Sequence, residues 1–119
     1  MSARDAHEPA PPEIHLVEAA LHFTRIASSV ETGKPESSIM ALMDETERLC
    51  HHAAVIHGDE AKELLPCLVT MLQTWRTVWQ RMAGQQDFRL AVAREARVWS
   101  ARVAELATRA GRLENGKAA

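Results

Sequence analysis

Tyrosine is absent from this chain of 119 residues, and three tryptophans with two phenylalanines supply all of its aromatic rings. Glycine and proline, the two residues that interrupt helices, number only five each. No apolar run approaches the roughly 18 to 20 uncharged residues that a membrane-spanning helix needs, and the N-terminal stretch leads into prolines rather than an apolar signal core. The expectation is therefore a cytoplasmic protein with no membrane partner. The two cysteines, Cys50 and Cys67, form no C-x-x-C pair. Both fall inside apolar helical patterns and read as small buried hydrophobes with free thiols, not as a disulfide or zinc framework. A Gly-x-Ser-x-Gly elbow, a phosphate-cradling glycine loop and an acid/base pair that periodicity would place in a pocket are all missing. Neither an enzyme nor a cofactor is expected.

What remains is rich in alanine, leucine, arginine and glutamate, all strong helix formers. At this length there is room for one domain and one modest core. The predicted fold is all-α, a small antiparallel bundle of three to four helices. Residues 1–12, with three prolines among small and charged neighbours, read as a flexible arm. Residues 13–113 form the helical domain and 114–119 a frayed tail. The net charge of −2 conceals an asymmetry, because residues 1–63 carry twelve acids and five bases while residues 64–119 carry four acids and nine bases. Acidic helices lying against basic ones within the bundle would account for it, and a basic half that meets an acidic partner or nucleic acid is the alternative.

Periodicity near 100° per residue places the helices. The first runs over 13–31 and turns Leu16, Ala19, Ala20, Phe23, Ile26, Ala27 and Val30 inward, leaving Glu18 and Arg25 opposite. Gly33 ends it, where a left-handed residue is wanted. Pro35 suits the first turn of a second helix over 35–57, whose inner face is Ile39, Leu42, Met43, Thr46, Leu49, Cys50, Ala53 and Ile56, with Asp44, Glu47, Arg48 and His51 outward and Gly58 following its end. A third helix over 60–83, with Asp59 as its cap and Gly84 as its stop, contains Pro66, which should kink or restart it. The fourth, over 87–112 with Asp87 as cap, repeats Phe88, Val92, Glu95, Trp99, Val103, Leu106, Ala110 and Leu113 at coiled-coil spacing. Glu95 thus lands on the seam, where Arg76 or Arg81 of the third helix should pair with it.

The third helix is the most apolar. Leu64, Cys67, Leu68, Met71, Leu72, Trp75, Val78, Trp79 and Met82 cover nearly half its circumference, more than a compact monomer buries against two neighbours. Within that arc Leu68, Met71, Leu72, Trp75, Trp79 and Met82 form the candidate partner-binding strip, with Leu72 and Trp79 expected at its exposed margin and Trp75, Val78 and Trp99 largely buried. The histidine sets His15-x-x-Glu18-x-x-x-His22 and Asp44-x-x-Glu47-x-x-x-His51 put potential ligands along one side of a helix, but off the apolar faces from which bundle metal sites project, so no metal is expected. His51 and His52 are followed by Ala-Ala-Val-Ile rather than by the lysine and glycine that follow a phosphotransfer histidine. The arginines of the fourth helix (Arg89, Arg94, Arg97, Arg102, Arg109, Arg112) are spread around it and interrupted by Glu95 and Glu105, the pattern of a solvated face rather than a nucleic-acid surface.

The stretch Glu31-Thr-Gly-Lys-Pro-Glu-Ser-Ser-Ile-Met-Ala-Leu-Met-Asp-Glu-Thr-Glu-Arg-Leu49 resembles the helix–glycine–helix segment of the flagellar type III export chaperones. The likeness covers residues 14–57, and Pro35 stands where that family often has a bulky residue. The resemblance implies a cytoplasmic chaperone that receives a helical segment of an export substrate in an apolar groove. Composition alone leads to a related expectation: a bundle without a catalytic constellation but with surplus apolar, methionine-rich surface serves as an adaptor for a protein partner. A homodimeric structural or regulatory bundle, formed with a second copy of the chain, and a metal- or ligand-binding bundle are the alternatives.

Overall fold

The structure, a computed structural model, describes the backbone of residues 12–56 and 59–118 and the side-chain surroundings of residues 14–54 and 61–110. Four helices follow one another, α1 (Pro12–Glu31), α2 (Glu36–Ile56), α3 (Asp59–Met82) and α4 (Gln86–Ala118), with no strand among the described residues. Short connections reverse the chain each time, so consecutive helices pack antiparallel. The body measures 52 × 29 × 20 Å. At 1.5 Å per residue the 33 residues of α4 reach about 50 Å and set its long dimension. In cross-section α1 adjoins both α2 and α4, and α2 adjoins α3. The fourth side, between α3 and α4, has the least extensive backbone contact.

Local chemistry fixes the helix ends. Gly33 adopts φ 71°, and around it Gly33 N donates to Val30 O (3.3 Å) and Lys34 N to Ser29 O (3.0 Å), the paired bonds of a Schellman stop. Arg89 Nη2 donates to Val30 O at 3.2 Å, so the start of α4 satisfies a terminal carbonyl of α1. Pro35 precedes α2 rather than opening it, since its carbonyl accepts from Ser38 N (3.0 Å) and Ile39 N (3.2 Å). At α4 the first acceptor is Gln85 O, bonded by Arg89 N at 3.2 Å, and Asp87 sits one step inside, where its charge suits the helix dipole. Pro66 lies within α3 without dividing it.

The inward face of α1 is buried as the periodicity requires, and α2 contributes Ile39, Met43, Thr46, Cys50 and Ala53, with Leu42 and Leu49 half-buried. Thr46 keeps its hydroxyl satisfied by donating to Leu42 O at 2.7 Å. Two expectations need correction here. α4 continues through the stretch read as a tail, because no proline follows Gly111 and most of residues 112–118 are helix formers. Cys67 is exposed, because it lies on the flank of α3 opposite Leu65, Leu68 and Leu72; both thiols are free. Most of the arm over 1–12, together with His57, Gly58 and the side chains of Ile56, Asp59 and Leu113, lies outside the described residues.

Candidate functional site

The six-residue strip of α3 divides in two. Leu68, Leu72, Trp75 and Trp79 are buried inside the single chain, Leu72 at 0% and Trp79 at 3% exposure, so the exposed margin expected at these last two does not exist. The reason is helical phase. Leu65, Leu72 and Trp79 recur at seven-residue steps along the centre of the buried arc, whereas Leu64, Met71, Val78 and Met82 lie about 100° round the helix and are half-buried. The open margin is this second row, which includes Met71 and Met82 and is turned toward α4.

Across the gap α4 presents Phe88, Trp99 and Leu106. Phe88 packs edge-on against Trp79, ring centroids 5.5 Å apart, and the Arg102 guanidinium lies over the Trp99 ring at 5.7 Å. All three tryptophans thus belong to this pair of helices. Rings of this size hold the helix axes apart, in keeping with the sparse backbone contact. Trp99 and Val78 are half-buried rather than enclosed. Toward the far end the seam opens into a cleft of about 480 Å³ lined by Glu63, Leu64, Arg102, Glu105, Leu106 and Arg109. Glu95, placed on the seam by its heptad position, is exposed because α3 stands too far off to cover that flank. It does not pair with Arg76 or Arg81.

Arg76 is instead committed to α2. Its Nη2 donates to Glu47 Oε1, Gln73 Nε2 donates to Glu47 Oε2 at 3.1 Å, and Asp44 Oδ1 lies 3.8 Å from Arg76 Nη1. Glu47, expected to point outward, is mostly covered, with 15% of its side chain exposed. Burial pushes its carboxyl up, but the hydrogen bonds from Gln73 and Arg76 outweigh this and hold it below the ordinary value. The outer surface of α2 and α3 is otherwise polar. Thr70, Thr74 and Thr77 each return a hydroxyl bond to their own helix.

The α1–α4 seam is built from small residues and has the most extensive backbone contact in the bundle. Ala20 and Ala27 of α1 face Ala93, Ala96, Ser100 and Ala107 of α4. Ser100 Oγ donates to Ala20 O at 2.8 Å and lies 2.8 Å from Thr24 Oγ1, a link across the pair. Outside the seam Arg97 hydrogen-bonds Glu31, and the guanidinium holds that exposed carboxyl below its usual range. This side of the bundle carries every large apolar side chain exposed among the described residues: Ile14, Val17 and Leu21 on α1, Leu90 and Val98 on α4. Sequence reasoning missed them, although Val17 and Leu21 fall off the core arc at 100° per residue and that phase was the available signal.

The histidines concentrate between α1 and α2. His15 and His52 meet edge to face with centroids 4.5 Å apart. His22 is buried, donating Nδ1–H to Glu18 O at 2.8 Å with Nε2 3.5 Å from Glu45, so it is a seam residue and not, as its phase implied, off the packed face. Among the described residues no three His, Cys, Asp or Glu side chains converge on a metal-sized site, and no helix is long and apolar enough to cross a membrane. Burial drives the Cys50 thiol up to about 12, with the Glu47 charge adding to the effect, which leaves it protonated and unreactive. No protein-family model, curated protein or solved structure matches this chain.

Proposed function

We propose that this protein is a non-enzymatic helical adaptor, an export-chaperone-like bundle of the cytoplasm, that receives an amphipathic helix of a partner protein along the α3–α4 seam. The observation that carries the reading is the half-buried row Leu64, Met71, Val78 and Met82 facing Trp99 across the widest side of the bundle. Flexible methionines beside an aromatic anchor accommodate helices of varied shape, and a groove of this kind reads its ligand through side chains spaced three and four residues apart. The cleft at the open end bears Glu63 and Glu105 beside Arg102 and Arg109, charges of both signs that would fix the orientation of the incoming helix. The resemblance of residues 14–57 to flagellar export chaperones points to the same class of ligand.

The test compares wild type with the paired substitution Met71→Glu and Val78→Glu in capture from the native organism, with circular dichroism on both. The reading requires one defined protein retained by wild type and lost by the variant at unchanged helicity. Equal capture by both proteins would remove the seam as the binding site.

A further inference from the structure

We infer that His15 and His52 form a two-histidine site for a divalent transition metal of the copper(II) and nickel(II) class, an ion that would clip the start of α1 to the end of α2. The site lies on the α1–α2 side of the bundle and is independent of the α3–α4 seam. Three observations carry it. The first is register. His22 Nε2 lies 3.5 Å from Glu45 across the antiparallel pair. Seven residues back along α1 and seven forward along α2, about two turns in each, the same register brings His15 opposite His52. The pair is set by the packing of two helices rather than by the spacing along one.

The second is unmet bonding. His22 uses Nδ1 on Glu18 O and turns Nε2 to Glu45, and His51 turns Nε2 to Glu47. His15 and His52 have neither a hydrogen bond nor an ion pair within the chain among the described residues, and each has the other's ring as its partner. His15 is half-buried there. A neutral imidazole keeps one nitrogen with a lone pair to give, and a metal ion takes it in that form.

The third is distance. Metal–imidazole bonds are about 2.0–2.1 Å long and a ring nitrogen lies about 1.1 Å from its centroid, so an ion stands about 3.2 Å from each centroid. Two imidazoles at right angles about one ion then have centroids about 4.5 Å apart. Those of His15 and His52 are 4.5 Å apart, with ring planes at 86°. Rotation about χ2, a soft torsion in histidine, leaves each centroid nearly in place while it turns the rings from edge-to-face contact until one nitrogen of each faces the ion. No third His, Cys, Asp or Glu side chain joins them among the described residues. Two nitrogens with solvent oxygens completing the shell make a tetragonal N,O set, which suits copper(II) and nickel(II), whereas structural zinc takes four protein donors.

Nickel(II) is the probe, because copper(II) would oxidise the exposed Cys67 thiol. Titration of the full chain, followed by NMR of the imidazole protons, should broaden His15 and His52 together, ahead of the other histidines, and saturate at one ion per chain. The thermal midpoint should rise with nickel(II), since only the folded chain brings the two rings together. Magnesium(II), which seeks oxygen ligands, should leave the midpoint unchanged. His15→Phe keeps a ring to pack on His52 but offers no nitrogen, and His52→Gln removes the other donor. Each should weaken nickel binding at least about tenfold and abolish the rise in midpoint, with helicity by circular dichroism as in wild type. Broadening that starts at other histidines overturns the proposal, as does a midpoint shift that survives both substitutions or is matched by magnesium(II). Should either variant lose helicity, the order of broadening in wild type decides alone.

Discussion

The two sides of this bundle are held by different chemistry. Between α2 and α3, Glu47 is gripped by Arg76 and Gln73, and the threonines outside that contact turn their hydroxyls back onto their own helix. Between α1 and α4 the contact is made by alanines and a serine, with leucines and valines left in water outside it. The first side is closed within one chain, since it shows no large apolar residue to solvent and its covered charges are paired, with Arg76 Nη1 the one buried side-chain polar atom left without a hydrogen bond among the described residues. The second spends its small residues on close helix approach and keeps its large ones outside. The tryptophans fill the third seam, between α3 and α4, where size rather than closeness makes the contact.

The largest expected effect probes the third seam. Trp79 is buried on α3 and packs against Phe88, so Trp79→Ala should cost about 3 to 5 kcal/mol in denaturant unfolding. A loss below about 1 kcal/mol would mean that Trp79 does not anchor the core. The α1–α4 seam is tested in the opposite sense, by adding volume. Ala96 is fully buried there, and Ala96→Leu should destabilise by about 1 to 3 kcal/mol, the usual cost of overpacking. A neutral result would show that α1 and α4 can part, and their close approach would lose its meaning.

Helix number, order and most boundaries were legible because each helix carries a strong 100° repeat and the stops lie at glycine and proline. The candidate site was harder to read. A wide apolar arc on α3 indicated surplus surface, but its centre and its margin differ by a single residue in phase, Leu72 against Met71. Which row is covered depends on which neighbour stands close, and that is set by residues on the other helices: alanines drawing α4 toward α1, tryptophans holding it from α3. The same dependence moved Glu95 from seam to solvent and Glu47 from solvent to a covered ion pair. A heptad pattern in one helix carries no information about the distance to its neighbour.

A smaller effect is expected from protons. The Glu47 carboxyl is held below its ordinary value of 4.5 in the fold, so it contributes stability that is fully present above that value and lost as pH falls through the depressed folded one. In Glu47→Gln this part of the acid dependence should vanish, and stability at neutral pH should fall by about 1 kcal/mol, the net worth of a partly covered hydrogen-bonded pair. Unfolding curves for both proteins from neutral pH to below pH 4 decide it. Parallel acid profiles would mean that the contact with Arg76 adds nothing to the stability of the α2–α3 side.

The smallest perturbation is a chemical label that leaves the fold intact. Cys50 and Cys67 lie on the two packed helices of the closed side, one buried and one exposed. The thiolate is the form that attacks a disulfide reagent, expelling the reagent's other thiolate, and burial drives the Cys50 pKa up to about 12, so both access and ionisation protect it. Under native conditions a chromogenic disulfide reagent should therefore titrate one thiol rapidly, and the peptide recovered with the label should contain Cys67. The second equivalent should appear only with global unfolding, at a rate that follows denaturant. Rapid labelling of both would mean that α2 opens from α3 locally despite its ion pairs, and the two sides of the bundle would then differ in composition but not in firmness.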